Sequence, residues 1–173
     1  TVDVKAVTKR DMPFKYDEKS GYIGTGVSGG VELFKVTPFD KILYVRKSGI
    51  YSVSETPDKI FVGPEMRYCG FADKESLSKV LFTIIYREPE TQYIYIKRCK
   101  IAAFIMNRDY FFAPEGMEVL HIDTRKTFTF TLNYVKKAKM KVTKETFKAG
   151  DFEEKSLKAK GVRVVAKEVQ TIE

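Results

Sequence analysis

Val80-Leu81-Phe82-Thr83-Ile84-Ile85-Tyr86, then Arg87-Glu88-Pro89-Glu90-Thr91, then Gln92-Tyr93-Ile94-Tyr95-Ile96-Lys97 is the stretch that decides the architecture. Two runs of β-branched and aromatic residues flank a short polar turn containing proline, which is the pattern of a β-hairpin. The second run alternates with period two, so it presents one buried and one exposed face. Working outward, Lys41 to Val45 is followed by a turn at Lys47-Ser48-Gly49 and by Ile50 to Val53. On the other side, Glu118 to Ile122 is followed by Asp123-Thr124-Arg125-Lys126 and by Thr127 to Leu132. Ile42-Leu43-Tyr44, Val80-Leu81-Phe82 and Val119-Leu120-His121 hold the same place in these three units, 38 and then 39 residues apart. A period of about 40 residues built from short strands marks propeller-like blades. One four-stranded blade cannot bury its faces alone, so neighbouring blades must stack. The expectation is an all-β, β-propeller-like array of about three to four four-stranded blades. Phe14 to Val36 and Lys139 to Val165 complete the end blades or supply a fourth. An all-β sandwich with evenly spaced hairpins is the competing arrangement. Helix is confined to about one turn within Ala72 to Ser78.

The chain has 173 residues, 43% hydrophobic and 31% charged, enough for one domain over residues 1–173 with its own core. Residues 1–13 read as a linker, and the missing initiator Met makes the chain a piece of a longer protein. No apolar run approaches the roughly 18 residues of a membrane span, and the charged opening is unlike a signal peptide. Cys69 and Cys99 are too few for a disulfide framework and lack metal-ligand spacing, so they read as buried thiols in a reducing, cytoplasmic setting.

Charge gives the first functional indication. Lys and Arg number 31 against 23 Asp and Glu, a net +8. A basic balance favours a polyanion, because neutralising phosphates releases condensed counterions. Residues 1–80 are nearly balanced, whereas Tyr134 to Lys144 holds Lys136, Lys137, Lys139, Lys141 and Lys144 with no acid. Arg46 and Lys47 fall at the first hairpin turn and Arg87 at the second. Lys97, Arg98 and Lys100 end the strand after that turn, and Arg125 and Lys126 fall at the third. If equivalent turns share one rim, these residues become a curved basic track. Such a track reads phosphate position and DNA bend rather than base edges. In the run after Tyr134, strand alternation lets only some of the lysines face one track.

Other motifs carry no chemistry. Gly24-Thr25-Gly26-Val27-Ser28-Gly29-Gly30-Val31 matches a dinucleotide-loop string, but a strand-like VELFKV follows where a helix would have to begin. His121 sits inside an apolar strand without a nucleophile or metal-ligand partner, and Asp151, Glu153 and Glu154 read as a surface turn. No catalytic residue and no metal site is expected.

Several segments, in order, resemble the C-terminal β-pinwheel domain of the A subunit of bacterial type IIA topoisomerases, nearer to topoisomerase IV than to gyrase. These are Tyr16-Asp17-Glu18-Lys19-Ser20-Gly21-Tyr22-Ile23-Gly24-Thr25-Gly26, Phe39 to Gly49, Asp58-Lys59-Ile60-Phe61-Val62-Gly63, Tyr93-Ile94-Tyr95-Ile96-Lys97-Arg98, and Leu157-Lys158-Ala159-Lys160-Gly161 with Val162 to Val165. The resemblance implies four-stranded blades that exchange a strand with their neighbours. It also implies a cationic rim, to which Lys158, Lys160 and Arg163 add, that binds and bends double-stranded DNA. It further implies that the domain steers decatenation or relaxation by a catalytic core. That core partners an ATPase B subunit, and it uses ATP and Mg through other domains. This domain itself is expected to hold no cofactor, and its setting is the bacterial cytoplasm and nucleoid, with no membrane partner. Gyrase's Gln-Arg/Lys-Arg-Gly-Gly-Arg/Lys-Gly box is absent, and Lys158-Ala159-Lys160-Gly161 is at most its remnant. A gyrase-type wrapping domain, a protein-interaction propeller and a nucleotide-binding enzyme built on the glycine-rich loop are the alternatives.

Overall fold

The computed structural model describes residues 9–173. Most of the expected linker therefore lies outside the described residues, while Met12 and Pro13 already belong to the first strand, which shortens it. The fold is all-β: among the described residues, fifteen strands form four antiparallel sheets, three with four strands and one with three. The expected helical turn is α1, Lys74–Ser78, opened by Asp73, whose carboxylate accepts from the Ser76 amide at 2.9 Å. No helix among the described residues is long and apolar enough to cross a membrane. The described residues divide into two compact units, residues 9–77 with 103–110, and residues 78–102 with 111–173.

The first unit holds two sheets. In the first sheet β1 (Met12–Asp17) pairs with β2 (Tyr22–Gly24) and β3 (Val31–Val36), and β6 (Ile60–Phe61) closes the other edge. The β1–β2 turn closes where Gly21, at φ 78°, donates its amide to the Asp17 carbonyl at 2.7 Å. The second sheet runs β10 (Tyr110–Phe111), β5 (Ile50–Glu55), β4 (Lys41–Val45), β7 (Tyr68–Phe71). Phe14, Ile23, Val36, Ile42, Tyr44 and Val62 are the buried core, with Phe34 stacked on Phe14 at 5.3 Å.

The second unit holds the other two. The third sheet runs β11 (Glu118–Asp123), β8 (Phe82–Arg87), β9 (Ile94–Cys99), β14 (Val162–Val165). The fourth runs β13 (Lys144–Lys148), β12 (Thr129–Tyr134), β15 (Val169–Ile172). Ile85, Ile94 and Ile96 of the third sheet pack on Phe130, Leu132, Tyr134 and Val169 of the fourth. Burying such aliphatic and aromatic side chains supplies roughly 1.5–3 kcal/mol each.

One rule generates all four sheets. A hairpin forms (β1–β2, β4–β5, β8–β9, β12–β13), and a later strand returns to flank its first strand (β3, β7, β11, β15). The second strands of the first three hairpins are flanked by strands that follow the next hairpin in sequence, namely β6, β10 and β14. This is the strand exchange that the resemblance implies.

The rule corrects two readings. Glu118 to Ile122 and Thr127 to Leu132 are not a hairpin: β11 belongs to the third sheet and β12 to the fourth. Val119-Leu120-His121 therefore lies on a flanking strand and is not the counterpart of Ile42-Leu43-Tyr44. The true first strands begin at Met12, Lys41, Phe82 and Thr129, with no fixed period. The fourth hairpin is β12–β13, closed by residues 135–143, so the lysine run 136–141 is loop and not strand.

Candidate nucleic-acid interface

Four of the five turn residues expected on a rim are already paired. Lys47 bonds Glu65, and the Arg46 guanidinium reaches Ser52 at 3.4 Å and Asp109 at 3.8 Å. In the second unit, Arg87 pairs with Glu118 at 3.5 Å and donates to the Val169 carbonyl at 2.9 Å, joining the third sheet to the fourth. Arg125 forks onto Asp123, with Nη2 to Oδ2 at 2.6 Å and Nε to Oδ1 at 3.0 Å. Burial pushes the Asp123 carboxyl up, but the side-chain and backbone donors of Arg125, with His121 at 3.1 Å, overcome it and hold it at about 2. Each of these four cations has a carboxylate partner within 4 Å.

Lys97 and Arg98, expected on the rim, are buried, at 5% and 6% exposure. They are inner residues because β9 is a central strand covered on both faces. Lys97 Nζ donates to the carbonyls of Phe112 at 2.8 Å and Leu157 at 2.6 Å. Burial without an ion-pair partner lowers its pKa. Arg98 donates to Thr83 Oγ1 at 3.1 Å, to the Phe152 carbonyl at 3.1 Å and to the Lys126 carbonyl. Five donors in a rigid fork suit this clamp on several loops at once. Both residues hold from behind the segments that carry Lys126, Lys158 and Lys160. A signal for this was present: β8 is apolar at Phe82, Ile84, Ile85 and Tyr86, residues of both parities, which is the pattern of a strand buried on both faces, and its partner β9 shares that environment.

The net charge is concentrated. Residues 78–102 and 111–173 contain 18 Lys and Arg against 11 Asp and Glu, +7, whereas the rest of the sequence contains 13 against 12. In this second unit, Lys126, Lys136, Lys139, Lys141, Lys158 and Lys160 are exposed and form no ion pair among the described residues. Lys137 reaches Glu168 at 3.8 Å, Lys100 is half-buried, and the exposed Arg163 guanidinium lies over the Tyr93 ring at 5.2 Å.

The fourth sheet adds residues that sequence reading did not select. Phe130, Leu132 and Tyr134 of β12 point to the core, so Thr129, Thr131 and Asn133 point outward. Their partners on β13 are Lys148, Thr146 and Lys144, in that order. Thr131 and Thr146 hydroxyls bond at 2.8 Å, and Asn133 Nδ2 donates to Thr171 Oγ1 of β15 at 3.0 Å. No carboxylate on β12 or β13 faces outward; Glu145 turns inward, accepting from the Tyr134 hydroxyl at 2.7 Å with Lys167 at 3.6 Å. Glu173, paired with Thr131 through backbone bonds of 2.9 Å, brings an acid to the border of the face. The result is a sheet of hydroxyl, amide and ammonium groups beside the lysine loop. Such groups can contact phosphate and sugar oxygens, contacts that carry no sequence information. Detecting this face from sequence needed the fourth hairpin, which the unpunctuated loop concealed.

The remaining candidates are structural. Gly24, at φ 147°, leaves no room for a Cβ, which would meet the Asp58 carbonyl oxygen at 2.0 Å; at Gly30, φ 82°, it would meet the Tyr16 carbonyl oxygen at 2.0 Å. The glycine-rich segment is thus packed on backbone and opens no phosphate cradle. Cys99 is buried and its thiol is pushed up to about 11 by burial. Among the described residues no group of His, Cys, Asp and Glu is placed to hold a metal ion.

The profile of the family described as topoisomerase C-terminal domain, Bacteroidota, matches residues 13–173. The chain is also 28% identical over 116 residues to the A subunit of DNA topoisomerase 4 from Borreliella burgdorferi, covering 67% of this chain and 18% of that relative's length. No solved structure matches.

Proposed function

The chain belongs to the topoisomerase C-terminal domain family of Bacteroidota, and on that premise we propose that its second unit binds duplex DNA as part of a topoisomerase IV enzyme. The outer face of the fourth sheet carries this reading: Lys144 and Lys148 flank the Thr146 hydroxyl with no carboxylate facing outward on β12 or β13. The two lysines are four residues apart on one strand face, about 13 Å along the strand. The net +7 of the unit and the unpaired lysines of the 135–143 loop support it.

Contacts of this kind neutralise phosphates without reading bases, so affinity depends little on sequence and strongly on salt. The domain's task is to hold and bend a duplex segment, and so steer which DNA crossing the parent enzyme passes. Decatenation or relaxation fits better than gyrase-type wrapping, since the gyrase box is absent. The chain spans 18% of its relative's length, and we assign ATP, Mg, the cleaving tyrosine and the contact with the ATPase partner to the remainder of the parent enzyme, in the bacterial cytoplasm. The test is fluorescence anisotropy on two duplexes of unrelated sequence. Lys144→Glu with Lys148→Glu weakens both equally if the reading holds; unchanged affinity for both duplexes overturns it.

A further inference from the structure

In three of the four sheets the outer edge of the second hairpin strand is covered by a short exchanged strand, β6 on β2, β10 on β5 and β14 on β9. The equivalent edge of β13 in the fourth sheet has no such partner among the described residues. At the ends of the ladder, Tyr134 donates to the Thr143 carbonyl and Ala149 to the Phe128 carbonyl, both within 2.9 Å. Hydrogen-bonded pairs alternate along an antiparallel ladder, so Glu145 and Phe147 bond β12. The backbone N–H and C=O groups of Lys144, Thr146 and Lys148 therefore point away from the sheet. Unpaired edge groups are a template for a further strand.

We propose that this edge seats an extended segment of a partner protein, acidic on its outward side chains and apolar on its inward ones. The chemistry follows from the register. Outward neighbours on β13 are Lys144 and Lys148, and opposite charges across strands attract. Inward, Phe147 stacks on Phe130 at 5.6 Å and offers apolar surface. A second copy of β13 is disfavoured in the register centred on Thr146, because antiparallel self-pairing there sets Lys144 opposite Lys148 twice, and like charges directly opposite are destabilising. The antiparallel seating of β6 and β14 in the sister sheets fixes the expected direction. Main-chain bonds would supply affinity and alternate side chains specificity, as in strand addition generally.

Strand seating on β13 does not depend on DNA binding. Its test adds a capped Glu-Val-Thr-Val-Glu peptide to the whole chain at about 10 mM, ten times a dissociation constant of about 1 mM in the weak-binding range, and follows amide hydrogen exchange by NMR. The expected result is at least tenfold slower exchange at Lys144, Thr146 and Lys148, with no slowing by Lys-Val-Thr-Val-Lys. Thr146→Pro removes one outward N–H without breaking the β12 ladder and is expected to abolish the protection. Equal protection by both peptides, protection confined to other strands, or none at all overturns the proposal. If Thr146→Pro does not fold, the two-peptide comparison on the unmodified chain decides alone. Peptide protection with no DNA binding would sink the DNA reading and leave this one standing; DNA binding with no protection would do the reverse.

Discussion

Lys97 Nζ donates to the carbonyl oxygen of Leu157 at 2.6 Å, fastening a strand to a loop sixty positions further along the chain. The same ammonium holds Phe112, and neighbouring Arg98 holds Phe152 and Lys126. These two basic residues are therefore part of the scaffold that carries the exposed lysines.

Lys97→Met leaves two buried or part-buried carbonyls without their donor, at a cost of about 1–3 kcal/mol each. The urea midpoint is expected to fall by an amount equivalent to about 2 kcal/mol or more, and Arg98→Ala is expected to do at least as much. DNA affinity of the fraction that remains folded should stay as it was. Unchanged stability with lost binding would return both residues to the DNA surface.

The Asp123 carboxyl, held at about 2 by Arg125 and His121, gives the acid limb of stability its sign. Its folded value lies below the ordinary carboxylate value near 3.9. The stabilisation is therefore complete above that value and is lost as pH falls toward about 2. Asp123→Asn should flatten the stability curve between about pH 4 and pH 2 and lower the plateau above it. An unaltered curve in chemical denaturation across that window contradicts the assignment.

Gly24→Ala and Gly30→Ala each force a Cβ to within 2.0 Å of a backbone carbonyl oxygen. Such a contact demands backbone movement, and strain of this kind costs on the order of 1–3 kcal/mol. Thermal melting should show both variants destabilised, while ATP, ADP and NAD leave the melting temperature of the unmodified chain in place. Stabilisation by a nucleotide would restore the glycine-rich segment as a binding loop.

What the sequence disclosed and what it hid have separate physical causes. The hairpins β4–β5 and β8–β9 were legible because Gly49 and the Pro89 turn punctuate them. The β12–β13 hairpin was not: its nine-residue loop 135–143 has neither Gly nor Pro, while Asp123-Thr124-Arg125-Lys126 imitates a turn between strands of different sheets. That one misreading moved the fourth blade and concealed Lys144 and Lys148 as neighbours. Lys97 and Arg98 looked exposed because two charges ended a strand, yet coverage of both faces of β9 decided their place. Sequence reading did locate the surplus charge after Tyr134.

Among single lysine or arginine changes, Lys144→Ala and Lys148→Ala should weaken duplex binding, whereas Lys47→Ala and Arg125→Ala should not. The latter two are engaged by Glu65 and Asp123. Binding isotherms on one duplex at fixed salt check this ranking, and a larger loss at Lys47 or Arg125 reverses it.

The most direct measurement is the slope of log binding constant against log salt concentration for duplex DNA, in the unmodified chain and in the Lys144→Ala, Lys148→Ala double variant. Each lost phosphate contact removes about 0.9 from the slope, so the double variant should be shallower by about 1.8, with equal slopes on unrelated sequences. An identical slope in the two proteins, or no salt dependence in either, contradicts the account.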